Sequence, residues 1–208
     1  MGQSRSPLGV AELERVAARG WRGTEEEPLG DWVLRAGGGF TGRANSALVV
    51  GDPGVPLPEA VAAVAAWYTA RDLRPTAQLP GVASRAADAA CAAAGWERDE
   101  DVLVLTAPVT APPADDAVAV DLSPVPDEAW LAGYRHRGRP LPATARSVLT
   151  NADEVAFASV RRDPEPAPLA AVGRGVVTGD WLGVAAVTVE EAHRRQGLAT
   201  AVMAALLR

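Results

Sequence analysis

In the first half of the chain, segments with the helical spacing of apolar residues alternate with segments typical of β-strands. Apolar residues recur at helical spacing in three stretches, and short runs rich in β-branched residues separate them. The predicted helices cover residues 10–18, 58–71 and 84–94. The predicted strands cover residues 31–35, 45–50, 76–79 and 102–105. This mixture indicates an α/β (α+β) domain with helices flanking a sheet.

The second half repeats the mixture and ends on the clearest pattern of the sequence. Its predicted strands cover residues 117–122, 155–160, 170–177 and 181–189, and its predicted short helices cover 127–134 and 143–149. Thr178-Gly179-Asp180 predicts a tight hairpin between the last two strands. The last strand is apolar at both odd-numbered and even-numbered positions, which predicts that both of its faces are covered. From Leu198 onwards, apolar residues at i, i+3, i+4, i+7 and i+8 predict a helix with one core-facing stripe.

A proline-rich stretch over residues 108–114 separates the two halves. Proline and small residues favour an extended linker. We therefore expect an N-terminal domain over residues 1–107 and a C-terminal domain over residues 115–208.

Composition and charge exclude several classes of function. Hydrophobic residues make up 48% of the chain, which favours a folded globule, and the net charge of −6 argues against a nucleic-acid binder. The apolar runs are too short to span a membrane, and no signal-peptide pattern opens the chain, so we expect a cytoplasmic protein. The single cysteine, Cys91, and the two histidines are too few for a convincing metal site.

Two segments are candidates for phosphate binding. Gly37-Gly38-Gly39 is glycine-rich, but no helix follows it, and a turn is the simpler interpretation. The segment after the last strand is more specific, because Arg194-Arg195-Gln196-Gly197-Leu198-Ala199-Thr200 opens directly into the final helix. A helix N-terminus presents free amides and partial positive charge, and flanking guanidinium groups suit phosphate oxygens. This order of elements predicts a pyrophosphate cradle.

The cradle resembles the signature of the GNAT superfamily of N-acetyltransferases. Val189 followed by Arg194-x-x-Gly197-x-Ala199 is similar to the segment that those enzymes carry between their fourth strand and third helix. The first half, through Gly38-Gly39-Phe40-Thr41-Gly42-Arg43, resembles the leading part of two-domain GNAT proteins of high-GC bacteria. The resemblance implies two GNAT-like halves with mostly antiparallel sheets, and binding of the co-substrate acetyl-CoA in the second half only.

The resemblance also implies a mechanism and a set of site residues. The pantetheine arm would pair with the backbone of Val187 and Val189, and an amine acceptor would attack the thioester directly. The acceptor that the resemblance implies is a small-molecule or peptide primary amine. The general base is not identified by the resemblance, and Glu190, Glu191 and Tyr134 are the candidates. Each of the two histidines lies near one of these residues in sequence. His136, close to Tyr134, falls in the region that shapes acceptor pockets in the family, and His193 directly precedes the two arginines.

A GNAT domain normally continues beyond the cradle helix, so the resemblance predicts that the second domain is incomplete at Arg208. Strand 76–79 of the first half could instead occupy the vacant sheet position. An incomplete core would expose Leu198, Val202 and Leu206 and favour a homodimer. Two alternatives to catalysis stay open: a GNAT-like module that binds acyl-CoA without turnover, and an unrelated phosphate binder.

Overall fold

A computed structural model describes residues 8–109, 118–134, 138–162 and 169–208. The chain divides into two compact units, residues 1–102 and 103–208, and each is described by itself. Residues 110–114 of the predicted linker and His136 lie outside the described residues.

The described residues of the first unit form a four-stranded sheet with three α-helices. Its helices are α1 (Val10–Arg19), α2 (Leu57–Thr69) and α3 (Arg85–Ala93), and its strands are β1 (Glu25–Leu29), β2 (Trp32–Ala36), β3 (Ala47–Leu48) and β4 (Ala77–Gln78). The strands lie in the order β1-β2-β3-β4, and only the β3–β4 pair is parallel. β4 therefore belongs to the first sheet, and the suggestion that strand 76–79 completes the second domain is wrong.

Successive side chains of β2 point to opposite faces of the sheet, and one of these faces lies in the core of the first unit. Trp32, Leu34 and Ala36 are buried in one cluster with residues of α2 and α3. The opposite face carries Arg35, which is also buried and donates hydrogen bonds to Ser46 and Gln78. The helical stripe predicted for residues 58–71 is confirmed by α2, whose buried residues face this core.

The first half contains one strand that was not predicted and one predicted strand that does not form. β1 was not predicted, because Glu25, Glu26 and Glu27 give it no apolar alternation. It forms nevertheless as an edge strand, where Arg71 binds the Glu25 carboxylate and Trp67 donates to Glu27. Conversely, residues 102–105 form an apolar, β-branched-rich run but have no strand structure, and Val102, Leu103 and Leu105 are 74%, 82% and 87% exposed.

The second unit is an antiparallel sheet with three described helices. Its strands are β5 (Asp121–Ser123), β6 (Glu154–Val160), β7 (Ala171–Thr178) and β8 (Trp181–Val189), and its helices are α4 (Glu128–Gly133), α5 (Ala145–Thr150) and α6 (Leu198–Leu206). The strands lie in sequence order. Thr178 pairs with Trp181, which confirms the predicted two-residue hairpin at Gly179-Asp180.

α6 packs on the sheet of the second unit. Leu198 and Val202 are buried against β6 and β7, and Leu206 is half-buried in the same cluster. The core-facing stripe is confirmed, whereas the predicted exposure of these three residues is wrong because the sheet itself covers them. The prediction for β8 is also wrong: none of its residues is fully buried, since β8 is the last strand and no described strand pairs with its outer edge.

The mixed fold with two mostly antiparallel sheets and flanking helices is therefore as predicted from the sequence. Among the helices that the structure describes, none is long and apolar enough to cross a membrane.

Candidate functional site

The outer edge of β8 presents backbone hydrogen-bonding groups. The Glu190 amide donates to the Ala170 carbonyl at 2.9 Å, which fixes the phase of hydrogen bonding between β8 and β7. Paired residues of an antiparallel ladder alternate in the direction of their amides and carbonyls. The backbone groups of Val189, which is regularly paired, therefore point away from β7. This edge can accept an extended ligand as an additional strand.

A β-bulge interrupts β8 next to these residues. Val172 pairs with Thr188 and Arg174 with Ala185, so Ala186 and Val187 together oppose the single residue Gly173. Ala186 has φ of 55°, a left-handed conformation that L-residues rarely adopt. Bulges of this kind bend a strand and redirect its groups, and they concentrate near functional sites. This feature could not be predicted from the sequence, because alanine is not a typical left-handed residue.

The loop after β8 turns sharply into α6. A 3₁₀ turn spans Glu191–His193, Arg195 has φ of 64°, and Gly197 has φ of 78° at the helix N-cap. The first backbone bond into the helix runs from the Ala201 amide to the Gly197 carbonyl at 3.0 Å. No acceptor within the described residues receives the amides of Leu198, Ala199 and Thr200. The helix thus begins with three available donors.

Space and charge at this helix start suit an anion. Gly197 is exposed, and a β-carbon at this position would meet no atom within 4 Å. Arg194 and Arg195 are both exposed beside it, and Arg194 Nε lies 3.4 Å from the Val189 carbonyl oxygen. Gln196 Nε2 lies 3.4 Å from the Ala192 carbonyl oxygen. The structure therefore brings the predicted cradle, from Arg194 to Thr200, next to the open end of β8.

The candidate general bases are placed differently from one another. Glu190 and Glu191 are exposed at the end of β8, and no ion pair or side-chain hydrogen bond joins either carboxylate to another described residue. His193 is half-buried, and its amide donates to the Glu190 carbonyl at 2.9 Å. Tyr134 lies at the end of α4, buried against Trp130 with the ring centroids 5.6 Å apart. No described contact brings Tyr134 to the cradle.

The glycine-rich segment of the first unit has a different role from the cradle. Asn45 Oδ1 accepts hydrogen bonds from the Gly37 and Gly39 amides at 2.8 and 2.9 Å, and its Nδ2 donates to the Phe40 and Thr41 carbonyls. These amides are occupied by the protein itself, so the turn interpretation is confirmed. No role was predicted for Asn45 from the sequence, although an asparagine near a glycine-rich turn is a common partner for backbone groups.

Over the described ranges, no group of histidine, cysteine and acidic residues could hold a metal ion. Cys91 is buried in α3, as expected for a packed thiol, and burial raises its pKa.

Comparison with known proteins gives a consistent result over nearly the whole chain. A family model described as the C-terminal region of the probable histone acetyltransferase Rv0428c matches residues 9–208. The probable histone acetyltransferase Rv0428c of Mycobacterium tuberculosis is 32% identical over 200 residues, which cover 91% of this chain. The chain spans 58% of that relative's length. No solved structure matches the chain. This chain therefore belongs to the family defined by the C-terminal region of the probable histone acetyltransferase Rv0428c.

Proposed function

We propose that the second unit binds acetyl-CoA and transfers its acetyl group to a primary amine, as a GNAT-type N-acetyltransferase. One observation carries the proposal: an open, bulged strand edge at Val187 and Val189 adjoins an arginine-flanked helix start with free amides. Acetyl-CoA has a diphosphate and an extended amide-containing arm, and these two features of the site suit those two parts. The name of the M. tuberculosis relative supports acetyl transfer.

Each part of the site has a distinct task in this proposal. The amides of Leu198, Ala199 and Thr200 bind the diphosphate, and the guanidinium groups of Arg194 and Arg195 add charge and direction. Gly197 leaves the approach open. Backbone groups of Val187 and Val189 hold the pantetheine arm. An amide at this end of β8 also stabilises the oxyanion that forms when the amine attacks, typically worth about 3 kcal/mol.

Proton transfer from the attacking amine needs a carboxylate or an ordered water. Glu190 and Glu191 lie at the end of β8 from which the thioester would be presented, so they are the better candidates among the described residues. Tyr134 lies at the end of α4, where it is buried beside Trp130. Glu190→Gln and Glu191→Gln should therefore lower kcat more than Tyr134→Phe does.

The acceptor is proposed to be a lysine side chain of a basic protein. The relative is named a histone acetyltransferase, and a net charge of −6 on this chain favours encounter with a basic partner. Small-molecule amines are the other acceptor class. Release of free thiol in the presence of a histone-tail peptide, compared with spermidine and glucosamine, separates the two classes.

Calorimetric titration tests the cradle itself. Arg194→Ala with Arg195→Ala should weaken acetyl-CoA binding by about tenfold or more, because two charge-assisted contacts are lost. Arg74→Ala with Arg98→Ala removes the same charge from exposed positions of the first unit and should leave the affinity unchanged. Equal affinity of wild type and the Arg194/Arg195 variant would contradict the proposal.

A non-catalytic acyl-CoA-binding module is the second candidate function. The observation that favours it is that neither Glu190 nor Glu191 has a described contact that holds its carboxylate in one position. Desulfo-CoA separates binding from chemistry, because it should bind like CoA in both cases. Binding without thiol release across the amine panel would establish the module, whereas ADP binding as tightly as acetyl-CoA would indicate a general phosphate binder.

A further inference from the structure

Gly173 lies at the point where the two parts of the candidate site meet. It is the residue of β7 opposite the bulge, facing Ala186 and Val187 together. A β-carbon at Gly173 would lie 2.4 Å from Val202 Cγ1 of α6 and 3.6 Å from Val187 Cγ2 of β8. The missing side chain of Gly173 therefore leaves room for α6 and the bulge together.

The close approach at Val202 cannot be relieved by a small rotation of its side chain. A distance of 2.4 Å is about 1 Å shorter than ordinary van der Waals contact. Val202 is fully buried, and a β-branched side chain in a helix has one strongly preferred rotamer. A methyl group at Gly173 must therefore displace α6 from the sheet. The displaced helix carries the Leu198, Ala199 and Thr200 amides away from the edge of β8.

We propose that Gly173 is a positioning residue, which sets the distance between the cradle at the start of α6 and the ligand-binding edge of β8. This inference rests on the proposed function, since it concerns a ligand that contacts both parts at once. Such a ligand binds more tightly when the spacing is correct, whereas the affinity of a ligand that contacts one part alone does not depend on the spacing. A misplacement of 1 Å in a catalytic site can lower the rate by about a hundredfold, and we expect a ligand that must contact both parts to lose affinity for the same geometric reason.

Gly175 provides a matched control two residues along the same face of β7. A β-carbon there would lie 3.0 Å from Leu206 Cδ2 and 3.4 Å from Leu182 Cδ1. These atoms are the far ends of flexible side chains, and Leu206 is at the end of α6 remote from the cradle. Gly175→Ala should therefore be absorbed locally, with little change in the position of the helix start.

The test compares three ligands by calorimetry: acetyl-CoA, which spans both parts, ADP, which has only the diphosphate portion, and S-acetylpantetheine, which has only the arm. Gly173→Ala should weaken acetyl-CoA binding by about tenfold or more while ADP and S-acetylpantetheine change by less than about twofold. Gly175→Ala should leave all three affinities near those of wild type. A general loss of folding would lower all three affinities together.

Removal of the atom that clashes provides the rescue. Val202→Ala should restore acetyl-CoA binding to the Gly173→Ala chain, up to the affinity of Val202→Ala alone. This double variant also keeps the test open if Gly173→Ala does not fold. Acetyl-CoA binding by folded Gly173→Ala equal to wild type, or a folded double variant as weak as Gly173→Ala, would overturn the inference while leaving the proposed function intact. A wild-type chain that binds no acetyl-CoA would overturn both.

Discussion

Replacement of Asn45 by alanine should destabilise the first unit strongly while leaving acetyl-CoA binding unchanged. The Asn45 side chain makes four hydrogen bonds to the backbone around the glycine-rich turn, at distances from 2.7 to 2.9 Å. Asn45→Ala removes all four at once. The turn then has no other described side chain in a position to replace them.

The size of the loss follows from which backbone groups can reach water. The bonds to the Gly37 amide and the Phe40 carbonyl are buried, whereas those to the Gly39 amide and the Thr41 carbonyl are partly exposed. A buried group left without its partner costs about 1–3 kcal/mol, and an exposed group costs little. We therefore expect the free energy of unfolding of the first unit to fall by about 3 kcal/mol. For a unit of this size, Tm should fall by roughly 15 °C.

The assay is calorimetric unfolding of the full chain, with hydrogen exchange of peptides around residues 37–45 to assign the transition that moves. Asn45→Asp is the informative companion, because it keeps an acceptor for the two amides but places an oxygen against the Phe40 and Thr41 carbonyls. It should be at least as destabilising as alanine at neutral pH. A loss below about 1 kcal/mol for Asn45→Ala would refute the hydrogen-bond reasoning. A fall in acetyl-CoA affinity in the folded variant would refute the assignment of this turn as purely structural.

Three further predictions concern backbone strain and a buried phenol. Ala186→Gly should raise the free energy of unfolding by about 1 kcal/mol in chemical denaturation, because it removes left-handed strain, whereas Ala185→Gly should lower it. Gly30→Ala should cost at least about 2 kcal/mol more than Gly54→Ala in the same assay. Both glycines have positive φ, but a β-carbon at Gly30 would lie 2.3 Å from a backbone carbonyl carbon, against 3.9 Å from the nearest atom at Gly54. Burial raises the pKa of Tyr68 to about 12 from 10.0, so the contribution of Tyr68 to the free energy of unfolding should be constant below pH 10 and fall as the pH rises towards 12. Tyr68→Phe should remove most of that fall. An unchanged pH profile in this variant would contradict the assignment of the alkaline loss of stability to Tyr68.

Elements with a strong apolar period were predictable from the sequence because their burial follows directly from that period. α2 and α6 each carry an apolar stripe, and in both cases the stripe faces a sheet. β1 could not be found in this way, since its stability comes from Arg71 and Trp67, forty or more residues away. Residues 102–105 show the converse, because an apolar run with high strand propensity does not by itself supply a strand partner.

The candidate site was predictable only where its chemistry is local. Free helix amides, the glycine at the N-cap and the two arginines are contiguous in sequence, so the local geometry of residues 194–200 could be predicted, while phosphate binding there stays a prediction. The bulge at Ala186 depends on pairing with Gly173, thirteen residues away, and the spacing between β8 and α6 depends on Val202 as well. Such relations between distant residues leave no local signature.

Amide chemical shifts during titration with acetyl-CoA would show whether the ligand binds between the β8 edge and the start of α6. We expect saturable shifts of the Val187, Val189 and Leu198–Thr200 amides, with the Gly37 and Gly39 amides unmoved. Saturable binding that shifts amides elsewhere and leaves those of β8 and α6 unchanged would contradict this expectation.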